Sequence, residues 1–173
     1  AFSGFHFTCP LNQIYLFRQA KQFSTLAGEL TKQLQRQKAH LQGNGGINFY
    51  VSGITAHNLG VAKVLSGDER AAEPCFREAI ALKEAAFGRD HDEVALSWDE
   101  LGIQLFARGN FDDASAAFRE AHRMRHSLGS NSTSVSDDDV PNPILAMTLN
   151  NIACCDFQKG DHETALRSLE EAR

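Results

Sequence analysis

Residues 98–121 read WDELGIQLFARGNFDDASAAFREA, and the small residues of this stretch recur along the chain. The copies lie 42 residues apart between the first and the second and 51 residues apart between the second and the third. The recurring positions are Gly60, Gly102 and Ala153; Gly67, Gly109 and Gly160; and Ala79, Ala121 and Ala172. Such a period is typical of structural repeats that stack on their neighbours.

Each copy has the pattern of two helices joined by a tight turn. Gly109 suits the end of a first helix because glycine tolerates a positive φ. The Asn or Asp that follows each turn glycine can cap the second helix with its side-chain oxygen. The second helix has apolar residues at three- and four-residue spacing, which places them on one face. In the middle copy these are Ala114, Ala117, Phe118, Ala121, Met124 and Leu128.

The small residues predict close contact between the two helices of each hairpin, with Gly102 as the clearest example. The large residues expected to fill the space between hairpins are Phe76, Phe118 and Leu169. One hairpin cannot bury both of its apolar faces, whereas stacked hairpins can. The sequence therefore predicts an all-α fold, a right-handed α-α superhelix (solenoid) of stacked antiparallel helical hairpins.

The pattern Trp98-x2-Leu101-Gly102-x2-Leu105, followed by Ala114, Phe118 and Ala121, resembles the tetratricopeptide repeat. The 42-residue period, longer than the ordinary one of about 34, is similar to that of kinesin light chains. Three strings support this resemblance over residues 48–173: Leu149-Asn150-Asn151-Ile152-Ala153, Ala72-Glu73-Pro74-Cys75 and Gly88-Arg89-Asp90-His91-Asp92. The resemblance implies a protein-protein interaction module, an adaptor or scaffold, and no enzyme activity.

The repeats divide the chain into segments. We expect a disordered tail at 1–10, a degenerate capping hairpin at 11–47, repeat 1 at 48–88 and repeat 2 at 89–128. A polar acidic insert at 129–141 accounts for the longer spacing before repeat 3, at 142–173, which is expected to be truncated at its C-terminus. In the capping hairpin, Ile14 is assigned to the first helix and Leu26 to the second.

The charge and motif content exclude several function classes. The formal net charge is −5, and residues 51–173 hold 12 basic and 21 acidic residues, which argues against nucleic-acid binding. The sequence has no apolar run long enough for a membrane span, no phosphate-binding glycine motif and no CxxC pair. His122 and His126 are four residues apart but lack an evident third metal ligand. We expect a cytoplasmic protein without cofactor or metal.

The resemblance places a binding groove on the first helix of each repeat. The predicted groove residues are His57, Asn58, Val61, Asp99, Glu100, Ile103, Phe106, Asn150, Asn151 and Phe157. Amide and imidazole groups can hydrogen-bond a peptide backbone, and the apolar residues supply pockets between those contacts. The two acids favour a protein or peptide partner with a basic residue. The alternative is that several of these side chains pack against the neighbouring hairpin.

Two further hypotheses concern regulation and assembly. Ser134 and Ser136 each precede an aspartate by three residues, which makes them candidate phosphorylation sites in a solvated acidic loop. The alternative function is a helical regulatory or self-association segment of a larger multidomain enzyme or signalling protein. Such self-association would use the open ends of the solenoid.

Overall fold

The computed structural model describes residues 10–40, 45–131 and 143–173, and these residues form seven α-helices without a β-strand. The helices are α1 (Pro10–Ala39), α2 (Gly45–Leu65), α3 (Glu69–Phe87), α4 (Asp92–Ala107), α5 (Phe111–Asn131), α6 (Pro143–Gln158) and α7 (His162–Glu171). Helices adjacent in the chain pack against each other along its whole described length. The predicted all-α helical-repeat superhelix is confirmed.

Three hairpins, α2–α3, α4–α5 and α6–α7, correspond to the three copies. Their turns pass through Gly67, Gly109 and Gly160, which have φ of 86°, 79° and 84°. A residue with a Cβ atom rarely adopts such φ values, so the backbone of these turns requires glycine. The cap predicted at Asp161 forms, since its side chain accepts a hydrogen bond of 3.1 Å from the Thr164 amide. The cap predicted at Asp68 is wrong, because that side chain makes no cap hydrogen bond.

The close contact inside the hairpins is as the sequence predicts. A Cβ atom built on Gly60 would lie 2.7 Å from Cε1 of Phe76, and one built on Gly102 would lie 2.7 Å from Cε1 of Phe118. Each phenylalanine ring of a second helix therefore lies directly on the backbone of the first helix. Both rings are fully buried.

The third hairpin differs from the other two at the equivalent position. Leu169 stands where Phe76 and Phe118 stand in the earlier copies, but 44% of its surface is exposed. Leu169 is therefore not enclosed between hairpins within the described residues. Among the described residues, no helix lies beyond α7 to cover it.

The N-terminal region also differs from the prediction. Residues 11–47 do not form a two-helix hairpin, because α1 is a single helix of 30 residues. No turn interrupts the helix between Pro10 and Ala39, and Gly28 lies inside it. Ala27 and Leu34 of α1 pack in a cluster with Leu59 of α2, so one helix covers this end of the stack.

Segment boundaries shift at two other places. Gly45 and Gly46 are the first residues of α2, so repeat 1 begins before residue 48. Helix α5 continues to Asn131, which makes the first three residues of the expected insert at 129–141 helical. The remainder of that insert, including Ser134 and Ser136, and residues 1–9 of the expected tail lie outside the described residues.

We expect Gly102→Ala to lower the free energy of unfolding by about 1–3 kcal/mol, because the added methyl overlaps the buried Phe118 ring. Gly28→Ala is the matched control. It adds the same methyl to an exposed helical position with no atom within 4 Å, and it should raise stability by about 0.5–1 kcal/mol. Urea unfolding of both variants measures this, and equal effects would refute the close-contact explanation.

Candidate functional site

Three apolar clefts lie along the described part of the molecule, and each is lined by residues of at least one of the first helices α2, α4 and α6. The N-terminal cleft, about 270 Å³, is lined by Phe23, Leu26, Leu30, Asn58, Val61, Ala62 and Leu65. The central cleft, about 230 Å³, is lined by Ile103, Phe106, Phe118, Asn151 and Cys154. The C-terminal cleft, about 490 Å³, is lined by Phe106, Asn150, Ala153, Cys154, Phe157, Gln158, His162, Ala165, Leu166 and Leu169.

The periodicity of the first helices explains why these side chains reach the clefts. On α4, Leu101 and Leu105 are buried in the core, whereas Ile103 points away from it and is exposed. On α6, Ile152 and Cys155 are buried, and Phe157 leaves 59% of its surface exposed. Exposed aromatic and aliphatic groups gathered on one surface are typical of interaction sites.

Aromatic contacts hold Phe106 and Phe157, which line the central and C-terminal clefts, in place. The Phe106 ring meets Phe111 edge to face, with centroids 5.3 Å apart. The Phe157 ring lies 4.9 Å from the His162 ring. Phe106 and Cys154 line both the central and the C-terminal cleft, so these two clefts form one continuous apolar surface.

Seven of the ten predicted groove residues line these clefts. Asn58 and Val61 lie in the N-terminal cleft. Ile103, Phe106, Asn150, Asn151 and Phe157 lie in the central and C-terminal clefts. The prediction did not include the α7 wall formed by Ala165, Leu166 and Leu169, because it considered only first helices. The signal available in the sequence was the leucine at position 166, where the preceding copy has Ser115.

His57 was predicted to line the groove, and the structure contradicts this. The ring is buried, its Nδ1 lies 3.1 Å from Oγ of Ser97 on α4, and it packs edge to face on Phe76. Burial, reinforced by the positive charge of Lys83, lowers the pKa of His57 to about 4. His57 therefore joins repeat 1 to repeat 2 as a neutral side chain.

A lysine that the sequence analysis missed lies at the same contact between repeats 1 and 2. Lys83 of α3 is only 1% exposed. Its Nζ donates hydrogen bonds of 3.0 Å to the carbonyl oxygen and 2.8 Å to Oε2 of Glu93 on α4. The hydrogen bond from Lys83 lowers the pKa of the Glu93 carboxyl. Pairing with both groups allows the ammonium to be buried between the repeats.

Asp99 was predicted to attract a basic residue of a partner, and the structure contradicts this as well. Its side chain is only 7% exposed, and its Oδ2 lies 2.5 Å from Nη2 of the equally buried Arg125. Nη1 of Arg125 donates a 2.9 Å hydrogen bond to Oγ1 of Thr148 on α6. Burial raises the pKa of Asp99, and the guanidinium opposes that effect. The pair is therefore part of the joint between repeats 2 and 3.

Glu100 has a different environment from Asp99, although the two are adjacent in sequence. It is half-buried on α4, three residues before Ile103, and thus near the face that borders the central cleft. Burial and then the neighbouring Asp99 charge raise the pKa of its carboxyl. Of the two predicted acids, Glu100 is the one with solvent access.

A second polar joint connects α5 to α6. Asp156 is buried, and its Oδ2 accepts a 2.9 Å hydrogen bond from Nη2 of Arg119. Its Oδ1 lies 3.4 Å from Oγ of Ser115 and 3.0 Å from Nζ of Lys159. This contact fixes the lateral position of repeat 3 on repeat 2.

The described residues contain no cluster of three or more His, Cys, Asp or Glu side chains positioned to hold a metal ion. The centroids of the His122 and His126 rings lie 6.2 Å apart. Both rings line a separate surface cleft, together with Glu171. Cys154 is exposed in the central and C-terminal clefts, whereas burial raises the pKa of its neighbour Cys155 to about 11. The three clefts are therefore suited to bind apolar groups and groups that form hydrogen bonds.

Comparison with known proteins agrees with this architecture. Residues 52–127 match the family model described as tetratricopeptide repeat. No curated protein matches the sequence.

Two solved structures show a similar fold. One is BtubC (BKLC) from P. vanneervenii, with a TM-score of 0.62 and 18% identity over 88% of this chain and 61% of that one. The other is a candidate kinesin light chain with nearly identical TPR-like repeats from Podosopora anserina. Its TM-score is 0.60, and it is 14% identical over 96% of this chain and 76% of that one. The chain thus spans less than two thirds of the length of BtubC, and at these identities the likeness concerns the fold.

The buried neutral His57 makes stability sensitive to acid. Because its pKa falls from 6.5 to about 4 on folding, its full contribution is present above about pH 6.5 and is lost as the pH falls towards 4. Between about pH 7.5 and pH 5 this amounts to roughly 1–2 kcal/mol. His57→Gln should be less stable at neutral pH but lose less on acidification. Parallel pH dependences in urea melts would show that His57 does not titrate in this way.

The buried pair of Asp99 and Arg125 should affect stability. Asp99→Ala leaves a buried guanidinium without its carboxylate and should cost about 3–5 kcal/mol. The double variant Asp99→Ala/Arg125→Met removes both charges and should recover most of that loss. A double-mutant cycle from denaturant unfolding measures the coupling. If the losses in unfolding free energy of the two single variants were additive, the pair would not be coupled. That result, or a stable Asp99→Ala variant with altered peptide binding, would favour the predicted role of Asp99 in the groove.

Proposed function

We propose that this chain, whose residues 52–127 match the tetratricopeptide-repeat model and whose fold is similar to that of a candidate kinesin light chain, binds a protein partner through the three clefts. Tetratricopeptide repeats generally mediate protein-protein interaction and are typically non-catalytic scaffolds. We further propose that the bound element is an extended peptide segment running across α2, α4 and α6. The observation that carries this proposal is the row of apolar clefts with asparagine side chains beside them.

The side chains that line the three clefts can form the contacts that an extended peptide needs. Asn58, Asn150 and Asn151 each offer a donor and an acceptor to a peptide backbone. Phe106 and Phe157 supply aromatic surfaces that can receive apolar peptide side chains. Buried aromatic anchors usually provide most of the binding energy of such interfaces, so the affinity should depend mainly on these two rings.

In this proposal Glu100, and not Asp99, is the acid that a basic partner residue would meet. Asp99 is occupied by Arg125, so we assign this role to Glu100. The formal net charge of −5 agrees with a partner segment that carries positive charge beside its apolar side chains.

We also propose that the protein acts in the cytoplasm and needs no cofactor. Cys75, Cys154 and Cys155 are free thiols, as is usual in a reducing compartment. Among the described helices, none combines the length and apolar character that a membrane span requires.

The test is a peptide-library screen followed by affinity measurement with the best peptide. Phe106→Ala should weaken binding by about 2 kcal/mol, roughly 30-fold, as expected for an aromatic anchor. Ile103→Glu puts a charge in the same central cleft at an exposed position and should also weaken binding. Asn58→Ala should have a smaller effect, because it removes only polar contacts.

Arg77→Ala on α3 is the matched control, since Arg77 is exposed and does not line the three clefts. The melting temperature of each variant shows whether its fold is intact. If Arg77→Ala lowers the affinity while folded Phe106→Ala and Ile103→Glu bind like the wild type, the groove proposal is wrong.

A further inference from the structure

The two contacts between adjacent repeats use the same three sequence positions but different chemistry. The spacings of 42 and 51 residues that relate the copies pair His57 with Asp99, Lys83 with Arg125 and Ser97 with Thr148. The first residue of each pair belongs to what we call the repeat 1–2 contact, and the second belongs to the repeat 2–3 contact. All six side chains are buried. The difference between the two contacts is therefore a difference in buried charge.

The repeat 2–3 contact is balanced in charge. Arg125 pairs with Asp99 and donates a 2.9 Å hydrogen bond to Oγ1 of Thr148. One buried cation therefore meets one buried acid. Histidine, the side chain that ordinarily titrates between pH 5 and pH 8, is absent from these three positions.

The repeat 1–2 contact has a histidine where the repeat 2–3 contact has its aspartate. Nδ1 of His57 lies 3.1 Å from Oγ of Ser97. Lys83 meets no carboxylate at position 57 and instead binds Glu93 of α4, whose side chain is 41% exposed, at 2.8 Å. A protonated His57 would therefore add a second buried cation to a contact that already holds Lys83.

The groups that face His57 disfavour its charged form. On α3, the Phe76 ring meets it edge to face with centroids 5.6 Å apart, and the Lys83 ammonium repels a positive imidazole. On α4, Ser97 is neutral, and Glu93 attracts a positive imidazole more weakly than Lys83 repels it. A Cβ atom built on Gly53 would lie 2.8 Å from Cγ of Lys83. The lysine stem thus lies on the α2 backbone, which limits how far its ammonium can move away.

We propose that the repeat 1–2 contact is an acid-sensitive release point, at which protonation of His57 weakens the attachment of α1–α3 to α4. The repeat 2–3 contact, with Asp99 in place of the histidine, stays closed. Because α2 and α4 lie on opposite sides of the contact that opens, its opening also separates the N-terminal cleft from the central cleft.

The pH range of the effect follows from the two environments of His57. In the closed contact its pKa is about 4, chiefly because of burial, and in the open state the ring meets water with its ordinary pKa of 6.5. The contact is therefore complete above about pH 6.5 and weakens as the pH falls towards 4. Between pH 7 and pH 5 the ratio of open to closed molecules should rise about 20-fold. The hydrogen bond from Lys83 lowers the pKa of Glu93, so this acid keeps its charge in that range.

The test is hydrogen exchange of the 173-residue chain, followed by mass spectrometry at pH 7 and pH 5 and normalised to the intrinsic exchange rate at each pH. In a repeat stack, the protection of a unit includes the stability of its contact with the next unit. We expect the protection of α2 and α3 to fall about 20-fold between the two pH values. The fall in α6 and α7 should be smaller and should depend on His122, whose pKa is also lowered by burial.

Two variants of His57 remove the titrating group. His57→Asn introduces the residue that the third copy has at this position and keeps an amide beside Ser97. His57→Asp offers Lys83 the carboxylate that Asp99 offers Arg125. In both variants the protection of α2 and α3 should change by less than about threefold between pH 7 and pH 5.

His91→Asn is the matched control, because His91 is a second histidine close to this contact. Its Nδ1 accepts a 3.1 Å hydrogen bond from the Glu93 amide at the start of α4, and asparagine can supply the same cap. The fall of about 20-fold in α2 and α3 should persist in this variant.

Several outcomes would overturn the proposal. A fall of the same size in His57→Asn and in the wild type would show that another group titrates, and loss of the fall in His91→Asn would assign the effect to that histidine. Equal falls in α2–α3 and α6–α7 would mean that the whole stack opens together. If neither His57 variant folds, the NMR titration of the His57 ring in the wild type decides. A ring pKa well below 6.5, together with the fall in α2–α3, supports the proposal, and an ordinary pKa refutes it.

Discussion

The contact of a phenylalanine ring with a glycine backbone underlies this architecture. Phe76 lies on Gly60, and Phe118 lies on Gly102, with no room for a Cβ atom between them. This contact brings the two helices of a hairpin together and fixes their relative position. Everything outside the hairpin depends on it, because the direction in which the first helix presents its remaining side chains is set once the ring is seated.

The hairpins are then joined by polar contacts in which at least one partner is buried. Lys83 reaches Glu93 and Arg119 reaches Asp156 across the boundary between adjacent repeats. Arg125 pairs with Asp99 inside repeat 2 and reaches Thr148 of repeat 3. A buried charge is costly unless its partner is present. Such pairs penalise any stacking in which the partners do not meet, and they can thereby select the order and register of the repeats more than they add net stability.

The pairing of these charges distinguishes the contacts between repeats from the proposed binding surface. Because the buried acids and bases are paired with one another, the clefts are left with aliphatic, aromatic and amide groups. Those groups favour an extended chain with apolar side chains across the first helices.

The sequence alone determined the hairpins, since Gly67, Gly109 and Gly160 specify turns with positive φ and the 42-residue period specifies their stacking. It also located most of the clefts, because Ile103, Phe106 and Phe157 follow from the helical period. Only the tertiary structure decided the roles of His57 and Asp99. On a helix, each of them diverges by about 100° from its neighbours Asn58 and Glu100, and the next repeat covers one residue of each pair and leaves the other accessible. That choice depends on how adjacent hairpins are oriented, which is a long-range property that no local pattern encodes.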